Sequence, residues 1–592
     1  MIIFKNFPNL TYLWYELSTK RRFQFWCLLI TMLIASVAEA ISVGSVIPFL
    51  YLLTSQDPLK LPYLGKVVHY LGVNDPQQVF LIITILFSLL ILISGFMRFT
   101  LVFFQSRFSQ AIGADLSSAI YKRTLYQQYH IHIATNSSQI ISGLSNKVDG
   151  VVHHVLMPLL NILSSILMII AIMLGLLVID KAITITIFLS FGLIYFIVAM
   201  LTKKKLRKNG IEVNEKTGDL IKVIQEGLGG IRDIIIDGTQ SIFSNQFDRV
   251  DRQMRRASAN IQIISASPRF IVESISIIAI AYTAYAWRSV DTPLSTMIPT
   301  LGAFLFGAQR LLPICQQVYS SWSSIKGADA SLQDILSLLA QPLPISTNKA
   351  QSAPCVFQNY IALENIYFQY PLADSWIFSN LNLTITKGSR IGIFGQTGSG
   401  KTTLMDILMG LLHPNSGSLV VDGVQISCDD YPTSWFPHIA HVPQSIYLTD
   451  STVLENIAFG VPNSEIDFKQ VYDICKVVQL DDFINKLPNK YDTSVGERGS
   501  KLSGGQRQKI GIARALYKKA DFLIFDEATS SLDTKSEESI IESINSLGRE
   551  FTIIMIAHRL STLSGCDWVY EIDSGMIKKS GTYDKIILGK NI

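Results

Sequence analysis

The stretch "RIGIFGQTGSGKTT", residues 390–403, decides the fold of the C-terminal part of this chain. It begins as a short apolar segment rich in β-branched residues, passes through a glycine-bearing turn and continues as a helix. The turn matches the pattern G-x-x-x-x-G-K-[ST], in which glycines allow backbone N–H groups at a helix N-terminus to converge on phosphate oxygens. Because a strand precedes the turn and a helix follows it, the stretch predicts an α/β P-loop domain.

Individual side chains of this loop have predictable roles toward a nucleotide. Lys401 supplies a cation for the β- and γ-phosphates, and the Thr402 hydroxyl is a ligand for Mg²⁺. We therefore expect ATP and Mg²⁺ as cofactors. The loop residues expected to bind ATP are Gly395, Gln396, Thr397, Gly398, Ser399, Gly400, Lys401, Thr402 and Thr403.

A second strand, in "ADFLIFDEATSSLD" at residues 520–533, ends in two acids. We expect Asp526 to hold Mg²⁺ through water and Glu527 to polarise the attacking water. An acidic pair after a strand is also a common helix cap, but a phosphate-binding loop in the same chain favours the catalytic interpretation. His558 follows another apolar strand, "FTIIMIA" at 551–557, and is predicted to contact the γ-phosphate.

Length and composition predict two domains of different character. The chain has 592 residues, which is too long for one core, and its residues are 49% hydrophobic and only 16% charged. Long uncharged runs crowd the first 325 residues. We expect a membrane domain at 1–340 and a soluble domain at 341–592, separated by the stretch "AQPLPISTNKAQSAP". A net charge of +4 gives no reason to expect a nucleic acid partner, and six scattered cysteines without metal-ligand spacing fit a reduced compartment.

The apolar runs predict six membrane spans. A bilayer core of about 30 Å needs roughly 20 apolar helical residues, and each run is long enough. No cleavable signal is expected, because the first run is too long and starts too late. The predicted spans cover residues 23–53, 78–107, 155–179, 182–202, 257–287 and 292–322.

Basic residues predict the orientation of these spans. Lys and Arg cluster before the first span and in "KKKLRK" at 203–208, which places both termini and two long links on the cytoplasmic side. The links, at 108–154 and 203–256, are polar and helical in pattern, so we expect the spans to continue into the cytosol as long helical hairpins. Between the first two spans, "LPYLGKVVHYLG" at 61–72 predicts a short amphipathic helix on the outer leaflet.

Several charged residues fall in the middle or inner part of the predicted spans, where charges are costly and face cavities or one another. One interpretation is a set of structural ion pairs, such as Arg269 with Glu273 at the i, i+4 spacing. The other is a basic inner surface that receives an anionic head group. The residues concerned are Glu39, Glu273, Arg98, Arg269 and Arg310.

The order of motifs in the last 240 or so residues resembles the nucleotide-binding domain of ABC transporters. Tyr370 precedes the phosphate loop, and Gln444 in "HVPQ", "VGERG", "LSGGQ", the acidic strand and His558 follow it. Six preceding spans with long cytoplasmic hairpins resemble the exporter-type half-transporter. The resemblance implies that Tyr370 stacks on adenine and that Gln444 contacts Mg²⁺ and joins Glu527 and His558 in catalysis.

In this family "LSGGQ" caps the nucleotide of a facing partner domain rather than its own. The resemblance therefore implies a homodimer that buries two ATP molecules between its nucleotide-binding domains. Binding would draw the domains together, hydrolysis would release them, and hairpin tips seated on those domains would pass the motion to the spans. The residues expected to contact ATP in trans are Ser503, Gly504, Gly505, Gln506 and Asp533.

The transported substrate is indicated by shorter stretches. "EAISVGSVIPFL" at 39–50 and "YHIHIATNSSQIISGL" at 129–144 are similar to bacterial flippases of lipid-linked oligosaccharides, whose pyrophosphate would suit the three intramembrane arginines. Other lipids, amphipathic drugs, a peptide, and a non-transporting ATPase on the same scaffold remain as alternatives. The expected location is the bacterial inner membrane, with the lipid bilayer and an amphipathic or lipid-linked substrate as partners.

Overall fold

The computed structural model divides into two compact units, one of residues 1–127 and 132–342 and the other of residues 128–131 and 343–592. The residues that the structure describes are 8–54, 76–134, 140–141, 143–179, 181–289, 294–341, 356–371, 373, 375–426, 434–527, 534–557, 559–587 and 589. The predicted outer-leaflet helix at 61–72 and the residues Asp533 and His558 lie outside these ranges.

The first unit is helical, as expected for a chain that must satisfy its backbone polar groups within each segment in lipid. Five described helical stretches are long and apolar enough to cross a membrane, and Leu294–Gly327 is a further long helix. The helices are α1 Pro8–Glu16, α2 Thr19–Gly44, α3 Val46–Thr54, α4 Pro76–Leu125, α5 Tyr129–Ala134, α6 Val148–Val151, α7 Met157–Ile179, α8 Lys181–Gly229, α9 Ile231–Ile236, α10 Gln240–Ala266, α11 Pro268–Ser289, α12 Leu294–Gly327 and α13 Asp329–Leu339. Of α5, residues 129–131 belong to the second unit.

Prolines break two of the predicted spans. The first is divided between α2 and α3 at Ser45, because Pro48 lacks the N–H that would bond the carbonyl of Gly44. The fifth is divided between α10 and α11 at Ser267, directly before Pro268. Thr19–Leu53 and Gln240–Ile278 nevertheless each form one stretch that is long and apolar enough to cross a membrane, with the break inside it.

The long polar links continue the spans as predicted. Helix α4 runs to Leu125 and α8 runs to Gly229, well beyond the apolar segments. A turn at Gly230, the short α9 and Gly238 in the left-handed region (φ +65°) reverse the chain into α10. The glycines in "QEGLGGIRDIIIDG" therefore lie at the turn that their spacing predicts.

The core of the first unit lies where α2, α4, α7 and α12 pack together. Met32, Ile120 and Ile172 are fully buried there. Many other apolar side chains of the first unit are exposed, such as Met200 and Leu201 on α8. An apolar exterior around an apolar core is the pattern of a domain whose solvent is lipid.

The second unit contains two sheets. Antiparallel strands β1 Tyr360–Phe368, β2 Phe378–Thr386, β4 Ser416–Val421 and β5 Val424–Gln425 form one sheet in the order β2-β1-β4-β5. The other sheet has the order β10-β9-β3-β8-β7-β6, with parallel pairing from β9 through β6. Its strands are β3 Arg390–Phe394, β6 Ile439–Val442, β7 Phe522–Asp526, β8 Thr552–Ile556, β9 Trp568–Asp573 and β10 Met576–Gly581.

Parallel pairing brings the carboxyl ends of β3, β7 and β8 to one edge, which is where α/β sheets bind ligands. These strands are buried on both faces and read as continuous apolar runs, as in "FLIFD" of β7. The phosphate loop follows β3 and the acidic pair ends β7. The helices of this unit are α14 Lys401–Leu408, α15 Val453–Ile457, α16 Phe468–Val477, α17 Asp481–Asn485, α18 Gly504–Tyr517, α19 Thr534–Asn545 and α20 Tyr583–Ile586.

Candidate nucleotide and substrate sites

The phosphate loop is built around glycines that no other residue can replace without strain. Gly398 and Gly400 have φ of +82° and +100°. A Cβ on Gly400 would lie 3.0 Å from the Phe378 ring, and α14 begins at the next residue. The loop therefore turns tightly enough to aim its backbone N–H groups at one point in front of the helix.

Lys401 is buried at the start of α14, and its ammonium group lies over this loop. Its Nζ donates to the carbonyl oxygens of Gly395 at 2.9 Å and Gln396 at 2.8 Å. Burial lowers the pKa of Lys401, and the nearby Glu527 and Asp526 act in the opposite direction. A cation held against neutral carbonyls next to two acids is suited to exchange those bonds for phosphate oxygens.

Two further observations fit a phosphate-bearing ligand with a metal ion at this edge. Among the described side chains, Ser399 Oγ is buried within the loop and makes no hydrogen bond. The Thr402 side chain is exposed on the first turn of α14, while Asp526 ends the neighbouring strand β7. Hydroxyl, carboxylate and amide oxygens are the ligands that Mg²⁺ prefers, so Thr402, Asp526 and Gln444 would hold it.

Glu527 is held in an unusual backbone conformation. Its φ is +48°, which a residue with a Cβ adopts at a cost, and its N–H donates to the Ile556 carbonyl at 3.1 Å. Its carboxylate accepts a hydrogen bond from Gln444 Nε2 at 2.9 Å, and the Gln444 carbonyl accepts one from Gln508. The structure thus brings together Glu527, predicted to polarise the attacking water, and Gln444, predicted to contact Mg²⁺ and join in catalysis.

Tyr370 lies beside the same loop. Its hydroxyl is 3.2 Å from Thr403 Oγ1, and its ring meets Phe368 edge to face with centroids 5.0 Å apart. Its half-buried ring is fixed next to α14 by these contacts. The predicted role of Tyr370 in stacking on adenine agrees with that position and stays a prediction.

Asp406, which is not among the residues predicted from the sequence, is buried in α14. Burial raises the pKa of Asp406 to about 6, and the nearby Asp526 adds to the shift. Its position inside the apolar run "TLMDILMGLL" was a visible signal that a carboxyl group would be carried into the core.

The "LSGGQ" segment forms the N-terminus of α18. Ser503 is the N-cap residue, and its Oγ accepts from the Gln506 N–H at 3.2 Å while its own N–H donates to Gln506 Oε1 at 2.8 Å. This reciprocal capping box sets the helix start, with Gly504 and Gly505 as its first two residues. Ser503 is exposed, so this end of the helix faces outward and is accessible to an anion.

In the first unit, two of the three predicted arginines meet at one carboxylate. Arg98 Nη2 donates to Glu39 Oε1 at 2.5 Å, and Arg310 Nη1 lies 3.4 Å from the same oxygen. Glu39 is fully buried. Both arginines line a cavity of about 360 Å³ between α4, α7 and α12.

Arg269 is not among the residues that line this cavity. It pairs with Glu273 on its own helix at 3.8 Å, and both side chains are about half exposed. The i, i+4 spacing keeps the two groups together on one face of α11. Ion pairing therefore describes all three arginines, Arg269 with Glu273 and both Arg98 and Arg310 with Glu39. Arg98 and Arg310 also line the cavity, and their predicted contact with an anionic head group stays a prediction.

Two family models match the chain. The ABC transporter model matches residues 378–530, and the ABC transporter transmembrane region model matches residues 49–290. They cover the phosphate loop and acidic strand in one case and the described spans α4 to α11 in the other. The fold expected from the sequence, a helical exporter domain followed by a P-loop ATPase domain, is confirmed.

Relatives of the chain have several different names. The Heterocyst differentiation ATP-binding protein HepA of Nostoc is 28% identical over 97% of this chain and 93% of its own length. The ATP-dependent lipid A-core flippase of Alkalilimnicola ehrlichii is 30% identical over 67% of each chain. The putative multidrug export ATP-binding/permease protein YgaD of Bacillus subtilis is 28% identical over 90% of this chain and 92% of its own.

A solved structure has the same architecture. The structure of a bacterial Atm1-family ABC exporter with ATP bound matches with a TM-score of 0.77 over 96% of this chain and 98% of that one, at 22% identity. Because the likeness covers both domains, the two units correspond to the two halves of an exporter chain. Together with the matching family models and relatives, it shows that the chain belongs to the ABC transporter family, as an exporter-type half-transporter whose ATP hydrolysis is coupled to transport.

Proposed function

We propose that this exporter flips an amphipathic lipid with a phosphate or pyrophosphate head group across the bacterial inner membrane, with a lipid-linked oligosaccharide as the first candidate. The observation that carries the proposal is the cavity lined by Arg98 and Arg310. Besides the two guanidinium groups, the wall carries four polar side chains, Gln105, Ser164, Gln309 and Gln317, and apolar ones such as Leu101 and Met168. Such a mixed wall suits a ligand with an anionic head and an apolar tail. Relatives named ATP-dependent lipid A-core flippase support a lipid substrate.

ATP hydrolysis drives the cycle through residues at the edge of the six-stranded sheet. The loop N–H groups and Lys401 bind the β- and γ-phosphates, and Tyr370 packs against the base. Glu527, oriented by Gln444, takes a proton from water as the water oxygen attacks the γ-phosphorus and ADP leaves. Mg²⁺, when bound, neutralises charge on the phosphates. His558 and Asp533 are proposed to contact the γ-phosphate and the trans nucleotide, on family resemblance alone.

Two copies of the chain form the working unit in this proposal. The exposed N-terminus of α18, with Ser503, Gly504, Gly505 and Gln506, would complete the nucleotide site of the partner. Closure on two ATP molecules and reopening after hydrolysis would move the spans through the hairpin tips. Both termini and the ATPase domains lie in the cytoplasm, as the basic residues flanking the spans favour.

A second candidate substrate is an amphipathic drug. The relative named as a putative multidrug exporter supports it, and so do the apolar members of the cavity wall, such as Leu101, Val102 and Met168. A cationic drug would gain little binding energy from two guanidinium groups of the same charge, so the phosphate-bearing lipid is placed first.

Reconstituted liposomes test the proposal. A fluorescent polyprenyl-pyrophosphate oligosaccharide is placed in both leaflets, and an external quencher reports the fraction in the outer leaflet. ATP is supplied on the side of the ATPase domains. We expect ATP-dependent redistribution of the label in the wild type and none in Glu527→Gln. ATP hydrolysis without movement of that lipid, of lipid A or of a cationic drug would contradict transport and favour a non-transporting ATPase.

A further inference from the structure

Glu39 on α2 connects three helices through its carboxylate. Oε2 accepts from the hydroxyl of Ser94 on α4 at 2.5 Å, while Oε1 accepts from Arg98 on α4 and faces Arg310 on α12. The Glu39 side chain is 0% exposed, whereas those of Arg98 and Arg310 are 36% and 24% exposed. The acid is therefore enclosed, and the two bases separate it from the cavity.

The charges of this cluster do not cancel. One carboxylate opposes two guanidinium groups, which leaves one positive charge in a partly enclosed setting. The bases also keep unused donors: Arg98 Nε is buried and makes no hydrogen bond to any described residue. Arg310 lies with its guanidinium carbon 5.2 Å from the centre of the Phe306 ring, which fixes its plane beside the cavity.

We propose that Glu39 is the counter-ion that sets the charge of the cavity, holding Arg98 and Arg310 as a clamp for a phosphate-type anion and limiting how tightly that anion binds. The inference rests on the proposed function, because it concerns the same cavity. Glu39 itself does not reach the ligand; it is a positioning residue that acts through the two arginines.

A transporter gains from such a counter-ion because its substrate must also leave. Two unopposed guanidinium groups in a low-dielectric cavity would bind a pyrophosphate strongly and release it slowly. With Glu39 present, the arginines keep a fixed orientation and a net charge of one. The buried acid thus lowers the affinity for the pyrophosphate and allows faster release.

The test varies the net charge of the cluster and measures binding to the full-length protein in detergent. The probe is a short-chain fluorescent polyprenyl pyrophosphate, and the matched polyprenol alcohol is the control ligand. Glu39→Gln raises the net charge to two, and we expect the pyrophosphate to bind about tenfold more tightly. Arg310→Gln lowers the charge to zero, and binding should weaken by about tenfold. Binding of the alcohol should not change in either variant.

The double variant Glu39→Gln/Arg310→Gln separates charge from fold. Its net charge equals that of the wild type, so it should restore pyrophosphate affinity to within about twofold, even though two native side chains are lost. The pair Arg98→Gln and Glu39→Gln/Arg98→Gln repeats the comparison on the other base. The affinities of the double variants can still be compared with those of the single arginine variants if Glu39→Gln alone does not yield a homogeneous protein.

The outcomes distinguish the two proposals. If the wild type binds pyrophosphate lipid but Glu39→Gln fails to rescue either arginine variant, the counter-ion role is overturned and the acid is a structural clamp. A wild type that binds neither the pyrophosphate nor the alcohol overturns the proposed function, and this inference with it. Competition by inorganic pyrophosphate as effective as by the lipid would assign the site to a free anion rather than to a lipid head group.

Discussion

At the scale of one residue, the surroundings of Glu527 support its proposed role toward the attacking water. Its left-handed backbone conformation is fixed by a bond to β8, and its carboxylate is aimed by Gln444. The carboxylate of Glu527 can polarise water while its neighbour Asp526 holds the metal ion. The assignment of Glu527 to water therefore depends on geometry as well as on family resemblance.

Glu527→Gln should bind ATP as well as the wild type but release phosphate about 10²–10⁴ times more slowly, because the amide cannot take a proton from water. Glu538→Gln is the matched control, since Glu538 is an exposed acid of the same ATPase domain. Measurements of ATP binding and of phosphate release check the two parts. Wild-type hydrolysis by Glu527→Gln would remove this residue from the mechanism.

Asp406 predicts a pH dependence of stability. Its folded pKa of about 6 is above the ordinary value of 3.8, so the folded state pays for a buried charge above pH 6 and gains stability as the pH falls toward 4. Asp406→Asn should therefore melt higher than the wild type at about pH 8, with a gap about half as large at about pH 5. Thermal unfolding of the nucleotide-free protein measures it, and an equal gap at both pH values would contradict this origin.

At the scale of elements, two capping boxes in the described part of the ATPase domain allow a helix-capping role to be distinguished from a role in nucleotide binding. Thr452 with Glu455 caps α15, and Ser503 with Gln506 caps α18, by the same pair of hydrogen bonds. Each is worth about 1 kcal/mol to its helix. The proposal gives only Ser503 a second role, in contact with the nucleotide of a partner chain.

Ser503→Ala and Thr452→Ala should each lower the free energy of unfolding by about 1 kcal/mol. Only Ser503→Ala should also lower the ATPase rate, because its hydroxyl and helix start would contact the γ-phosphate. Chemical denaturation and steady-state hydrolysis, measured on the same preparations, supply both readouts. Equal effects of the two variants on hydrolysis would reduce Ser503 to a helix cap.

The sequence was informative where function depends on local pattern. The phosphate loop, the acidic strand end and the capped signature each lie within one short stretch, so their elements follow from spacing and residue type. The contact of Glu39 with Arg98 and Arg310 joins three separate helices, and no local pattern determines how those helices face one another. Arg269 was grouped with the other arginines for the same reason. The helix breaks near Pro48 and Pro268, in contrast, follow from residues visible in the sequence.

At the scale of the whole molecule, the proposed mechanism depends on the pairing of two chains. One chain carries one phosphate loop and one signature helix, and the resemblance assigns each to a different nucleotide. The exposed N-terminus of α18 and the phosphate loop that ends in Lys401 are then two halves of a site that two chains complete. In the proposal, lipid movement and catalysis require that assembly, whereas the counter-ion cluster of Glu39, Arg98 and Arg310 lies within one chain.

Mixed dimers test this claim directly, with Glu527→Gln in every chain so that bound ATP is retained and counted. A chain carrying Lys401→Ala is paired with a chain carrying Ser503→Glu, and differently tagged chains are purified together. The account predicts one trapped ATP per mixed dimer, because one loop and one signature remain intact on opposite chains. It predicts none when both changes lie on one chain and the other chain is intact. The reverse result, trapping only in the second arrangement, would show that each chain completes its own site and would contradict the account.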